Sequence, residues 1–133
     1  MNVLSAKITD LKVDGHLTLV ILSAIDIELS AIVVDSPETA PYLEKGNLVK
    51  VLFKETEVII SQRIKNRISL QNQFNGIVSK IETGSLLSRI MIDTSAGEIT
   101  AHITSKSVIQ LELKKGDQII VMIKTNELML AAQ

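Results

Sequence analysis

Shifted by 70 residues, this sequence overlays itself without a gap, Asn2 to Gln62 falling on Asn72 to Ala132. In that register Glu28 meets Glu98, Ala31 meets Ala101, Gly46 meets Gly116, Val51 meets Val121, Lys54 meets Lys124 and Glu57 meets Glu127. Apolar positions coincide as well: Leu4 with Phe74, Ile8 with Val78, Leu29 with Ile99, Val49 with Ile119, Ile60 with Leu130. Matched glycines, lysines and apolar positions in one register mark a tandem duplication of a small fold. The division this implies is 1–62 for the first unit, 63–71 for a linker that opens the second unit's signature, and 72–133 for the second unit. With two copies only, a closed pair or larger oligomer is expected rather than a solenoid.

Units of about 60 residues sit near the lower limit for independent stability. The chain has no cysteine, so disulfides and thiolate metal sites are excluded and pairing of units, within and between chains, is the remaining support. Fourteen basic residues face fifteen acidic ones, and aromatics make up 2% of the chain. Nucleic-acid binding is therefore not expected, since it needs a concentrated basic face and, for single strands, stacking platforms. A flat pterin ring would equally lack stacking partners. The first residues, MNVLSAKITD, lack a signal-peptide core, and the apolar run Leu17 to Ile25 is too short to span a bilayer as a helix. A soluble, cytoplasmic protein without membrane insertion is expected.

Period-two alternation dominates the second copy, with Ile99, Ala101 and Ile103 on one face and Thr100, His102 and Thr104 on the other. Further strands are expected at Gly76–Ile81, Leu86–Asp93, Gln118–Lys124 and Glu127–Leu130, giving five per copy. Between the third and fourth, SKSVIQLELKKG suits a short helical turn that stops at Gly116. The fold class is all-β: two tandem OB-like five-stranded barrels, each with a short helical turn between strands 3 and 4. In the first copy the counterpart is DSPETAPYLEKG, where Pro37 and Pro41 favour an irregular loop. The connector SQRIKNRISLQ, with Arg63, Lys65 and Arg67, reads as a solvated linker.

SLQNQFNGIVSKIETG, GEITAHITSKSVIQLELKKG and VMIKTNELML span nearly the whole second copy. Together they resemble the Mop or TOBE domain, the molybdate-binding unit of molbindins, of the molybdate-responsive regulator and of some transporter ATPases. The family pattern runs S-A-R-N-x-hydrophobic-x-G, then A-x-I-T-x-x-S, then L-x-x-G and I-K-A-S, and ITSKS followed by IKT matches it in order and spacing. The first copy keeps the scaffold and Lys54, but has Val34, Pro37 and Glu55 where the second has Thr104, Ser107 and Thr125.

The resemblance implies an oxyanion site drawn from Ser69, Gln71, Asn72, Thr104, Ser105, Ser107, Lys124 and Thr125, with Lys54 marking a second, altered site. The chemistry agrees. A tetrahedral dianion such as molybdate or tungstate has only acceptors, so its site must supply N–H and O–H donors with limited positive charge. Thr104, Ser107 and Thr125 offer hydroxyls, Lys124 the charge, and amides at the start of the Ser105–Leu111 turn would point at the anion. Gln71 stands where the family has arginine, exchanging fixed charge for two weaker donors; Arg63 or Arg67 could compensate from the linker. Taken singly, Lys124 reads as a solvated lysine and Thr104 and Ser107 as local caps. Their joint agreement with the pattern carries the functional reading. His102 and His16 have no partner at metal-ligand spacing, and no catalytic constellation is present.

The expected function is storage, buffering or homeostasis of molybdate or tungstate, without chemistry on the anion. By resemblance, the units would gather ligands at their interfaces in a homo-oligomer, a trimer first and a dimer second. Partners among molybdate transporter or cofactor-assembly proteins follow from the same likeness. The alternative is a non-catalytic regulatory module working with a transporter or regulator. The regulator's helix-turn-helix would precede its Mop pair, and the first repeat here starts at Asn2.

Overall fold

The computed structural model describes residues 1–62 and 68–133. Arg63, Lys65 and Arg67 of the linker lie outside the described residues. In the first half, β1 (Asn2–Asp14), β2 (Leu17–Ala24), β3 (Ile27–Val33) and β4 (Leu48–Phe53) are followed by a 3-10 turn, Glu55–Glu57, and β5 (Ile59–Ser61). The second half repeats the order with β6 (Asn72–Thr83), β7 (Leu87–Thr94), β8 (Gly97–Thr104), helix α1 (Ser105–Gln110), β9 (Gln118–Ile123), a 3-10 turn, Thr125–Glu127, and β10 (Met129–Ala132). The alternation that defines these strands is plain in β1, where Asn2, Leu4, Ala6 and Ile8 are buried and Val3, Ser5 and Lys7 exposed.

Two antiparallel sheets result, ordered β10-β4-β1-β2-β3 and β5-β9-β6-β7-β8. Each copy's fifth strand thus completes the sheet of the other copy. Leu130 pairs with Val51, and Ile60 with Val121. The two tandem OB-like five-stranded units expected from the repeat are present, and the structure adds that they share their closing strands. Each exchanged strand has one further tie, within β10 and just after β5. Tyr42 Oη donates to the Leu130 carbonyl at 3.3 Å, and Gln62 Nε2 to the Leu111 carbonyl at 2.5 Å.

Within each half the repeat is reproduced in detail. β1 and β6 both carry a bulge, between Ile8 and Asp10 and between Val78 and Lys80. The extra residue is hydroxylic in both, and Thr9 and Ser79 donate to the carbonyls of Ile21 and Met91. Gly46 and Gly116, matched in the sequence, adopt φ of +96° and +94°, a region that penalises any side chain. From there each sends its N–H to the bulge, to Ile8 and Val78 oxygens at 2.7 Å.

The halves differ between their third and fourth strands. The helical turn expected in each copy forms only in the second, and α1 ends at Gln110 rather than at Gly116, with Glu112 in the left-handed region at φ +51°. In the first copy the segment with Pro37 and Pro41 runs through successive turns, and Ala40 and Leu43 close the core there. The strand expected at Glu127–Leu130 begins at Met129, because residues 125–127 wind into the 3-10 turn. One contiguous core runs through both halves, from Leu4 to Leu128. Among the described residues no helix is long and apolar enough to cross a membrane.

Candidate functional site

The junction between the halves is stitched by two asparagines 70 residues apart. The Asn2 amide donates to the Thr100 carbonyl and accepts from the Thr100 N–H, both at 2.8 Å. Asn72 does the same to Ser30, at 2.9 and 2.7 Å. Ser30 and Thr100 are themselves repeat mates, so the two ties are reciprocal. Each asparagine side chain acts as one residue's worth of β-ladder across the junction. Asn72 is fully buried. Its amide therefore orients the segment that precedes it instead of joining the expected ligands.

Thr104 ends β8 and caps α1, accepting from the Ser107 N–H at 3.1 Å while the two hydroxyls lie 2.8 Å apart. One hydroxyl of this pair donates to the other and leaves a single O–H for another acceptor. Donation within the pair polarises that remaining proton and strengthens it toward an acceptor. Ser105 is differently placed. Its buried hydroxyl donates to the Gly84 carbonyl at 2.6 Å and lies 2.8 Å from Ser88 Oγ. Its N–H bonds the Leu86 carbonyl, so of the amides expected at this turn those of Ser105 and Ser107 are already paired.

Lys124 and Lys54 occupy matching positions, each extended, exposed and just ahead of a 3-10 turn. Lys124 is followed by the half-buried Thr125, Lys54 by Glu55. The turn Thr125–Glu127 packs on β3 and the turn Glu55–Glu57 on β8. The expected ligands are consequently divided between two equivalent places. Lys124 and Thr125 open the turn that packs on β3, the strand that leads to Val34 and Pro37, while Thr104 and Ser107 follow β8, the strand on which the turn after Lys54 packs. Ser69 and Gln71 precede β6 and are exposed; Gln71 lines a recess of about 360 Å³ with Glu28 and Gln73. A larger cavity of about 620 Å³, lined by Asp26 and Asp93 among others, contains none of the expected ligands, and its carboxylates would repel an anion.

Glu55 is the residue that sequence reasoning undervalued. Its Oε2 lies 2.5 Å from the Met1 amino group. That hydrogen bond, then its own backbone N–H, then the charges of Met1 and His102, hold its carboxyl below the ordinary carboxylate range. His102, on β8, is half-buried beside it. The asparagine ties were missed too. Their signal was present, since Asn2 and Asn72 form the first pair of the repeat alignment.

Residues 68–130 match the TOBE domain. The whole chain superposes on the cytoplasmic molybdate-binding protein ModG in its molybdate-bound form, with a TM-score of 0.91 and 26% identity over 99% of this chain and 96% of that one. The second half of the chain carries a TOBE domain. Over 70 residues this chain is 31% identical to the molybdenum transport protein ModE of Herbaspirillum seropedicae, and it spans about a quarter (26%) of that relative's length. A molybdate-binding protein from Sporomusa ovata matches 44% of this chain at 32% identity, covering 88% of the other chain, with a TM-score of 0.43.

Proposed function

We propose that this protein binds a tetrahedral oxyanion, molybdate or tungstate, and stores or buffers it in the cytoplasm without transforming it. The observation that carries the reading is the likeness, over nearly the full length of both chains, to ModG with molybdate bound. The donor chemistry of the second unit supports it. Lys124 gives one charge, Thr125 and the Thr104–Ser107 pair give hydroxyls, and Ser69 and Gln71 add donors from the approach to β6. Lys54 is the charge of the altered position. In this reading Asn72 and Ser105 are positioning residues, the first fixing the Gln71 segment and the second fixing the start of α1.

Storage is favoured over a regulatory module because the likeness to ModG extends across both chains, whereas the likeness to ModE spans a small part of that protein. We further propose a homo-oligomer, a trimer ahead of a dimer. The outer face of the first sheet supports this, since Val3, Leu48 and Met129 are exposed there and Leu52 is half-buried between Val3 and Met129. Transporter and cofactor-assembly proteins are the partners that such a store would serve.

Calorimetric titration with molybdate, tungstate and sulfate, with the mass in solution measured alongside, tests the proposal. Molybdate or tungstate should bind and sulfate should not. Loss of a charge-assisted hydrogen bond costs about 1.5–3 kcal/mol, so Lys124→Ala or Thr104→Val should weaken binding roughly tenfold or more at the position each serves. No binding of either metal oxyanion, or binding indifferent to both substitutions, overturns the reading.

A further inference from the structure

The Thr104–Ser107 donor pair belongs to a helix too short to hold itself. Six residues, Ser105–Gln110, fall well below the length at which an isolated helix is stable, so α1 takes its position from what it touches. Within the helix Ser105 and Val108 are the buried residues. Val108 is apolar and holds α1 down without fixing its rotation, because hydrophobic burial has no direction. Ser105 supplies directed bonds. Its N–H donates to the Leu86 carbonyl at 2.8 Å, its hydroxyl donates to the Gly84 carbonyl at 2.6 Å, and Ser88 Oγ stands 2.8 Å from Ser105 Oγ. A serine hydroxyl carries one proton. Since that of Ser105 goes to Gly84, the Ser88 hydroxyl is the donor to Ser105. We infer that Ser88 is a positioning residue: through Ser105 it sets the rotation of α1, and with it the place of the Thr104–Ser107 pair toward an oxyanion. This inference deepens the proposed function and rests on it.

Both ends of this chain of hydrogen bonds are fixed. Ser88 is buried in β7, in register with Thr83 of β6 and Ile103 of β8. Gly84 closes a tight turn by donating its N–H to the Leu87 carbonyl at 3.0 Å, and a Cβ at position 84 would stand 2.3 Å from that same oxygen. The turn thus requires glycine and holds its own carbonyl, the acceptor for Ser105, in place. Donation from Ser88 polarises the Ser105 hydroxyl and strengthens its bond to Gly84. The repeat supplies the comparison. Thr18 and Asp35 are the mates of Ser88 and Ser105, and there the fully buried Thr18 hydroxyl donates straight to the Asp35 backbone carbonyl at 2.5 Å, while the Asp35 carboxylate accepts from Thr39. That copy has Val34 and Pro37 at the donor positions and turns in place of α1. The bridge of two serine side chains therefore stands in the copy that carries the donor pair.

The test uses Ser88→Ala, Ser88→Thr, Ser105→Ala and the double alanine variant, with two readouts. One is calorimetric affinity for molybdate and tungstate. The other is NMR amide exchange at Ser107 and Leu111, whose N–H groups donate to Thr104 Oγ1 and the Ser107 carbonyl, with exchange along β1 and β4 as the measure of general stability. Ser88→Ala should weaken binding about threefold to tenfold and speed exchange at Ser107 and Leu111, leaving β1 and β4 as in the wild type. Ser88→Thr, the residue that the first copy holds at this place, should restore both. The double variant should bind no more weakly than Ser105→Ala alone, because Ser88 acts through Ser105. Unchanged affinity in Ser88→Ala, faster exchange spread evenly over β1 and β4, or additive losses in the double variant would each overturn the inference and leave the proposed function standing. If the wild type binds neither anion, the proposed function fails, and exchange at Ser107 and Leu111 alone decides whether Ser88 places the pair.

Discussion

Asn72 shows how a polar residue in a binding signature can act on the scaffold first. Both its amide atoms are committed to Ser30 across the junction. Replacing it with alanine strips Ser30 of partners for its N–H and its carbonyl in a half-buried place, which costs about 2 kcal/mol. Chemical denaturation of Asn72→Ala should register that loss, and an unchanged midpoint would show that water replaces the tie. Glu55 offers a second residue-scale expectation. Its contact with the Met1 amine lowers its folded-state pKa from 4.5. The stability this gives is present above the unfolded value and disappears as the pH falls through the lowered one. An NMR titration of the Glu55 carboxyl should find its midpoint below the ordinary range; an ordinary midpoint would dissolve the link to Met1 and His102.

At the scale of elements, the exchanged strands matter most. β10 is four residues long, and β4 is left as an edge without it. A chain ending at Leu128 should therefore lose hydrogen-exchange protection along β4, in the opposite half of the sequence, while β9 keeps its own partners β5 and β6. Loss confined to the second half would contradict the exchange. Much of the element pattern was legible beforehand. Alternation found the strands, and Pro37 and Pro41 correctly barred a helix from the first copy. The exchange was not legible, because Ile60 and Leu130 present the same apolar face whichever sheet receives them. Sequence patterning specifies a face and a period, while the choice between two equivalent edges is made by the reach of the connection and by ties such as that from Tyr42 to Leu130.

For the whole molecule, the duplication reads as a pseudo-dimer within one chain, two sheets sharing one core and bound by reciprocal strands and reciprocal asparagines. Neither half is self-sufficient. Residues 68–133 alone would leave β9 without β5 and β10 without β4. Expressed separately, this half should exchange β10 with a second copy and run at twice its mass; a folded monomer would refute that dependence. The site was legible only in part. ITSKS and IKT supplied the candidate donors, and their residues sit at two equivalent places because each third strand meets the other half's turn. That division follows from the pairing of the halves, which no single repeat records.

Sharing of strands also governs how the protein comes into being. While the chain is still on the ribosome, β4 can pair with β1 but waits for Met129–Ala132 to cover its other edge. A nascent first half is thus an unfinished sheet with an open, apolar margin, prone to capture by another nascent copy. Slow decoding ahead of β10, or a chaperone resting on β4, would favour the correct intramolecular closure, and crowded synthesis would favour exchange between chains.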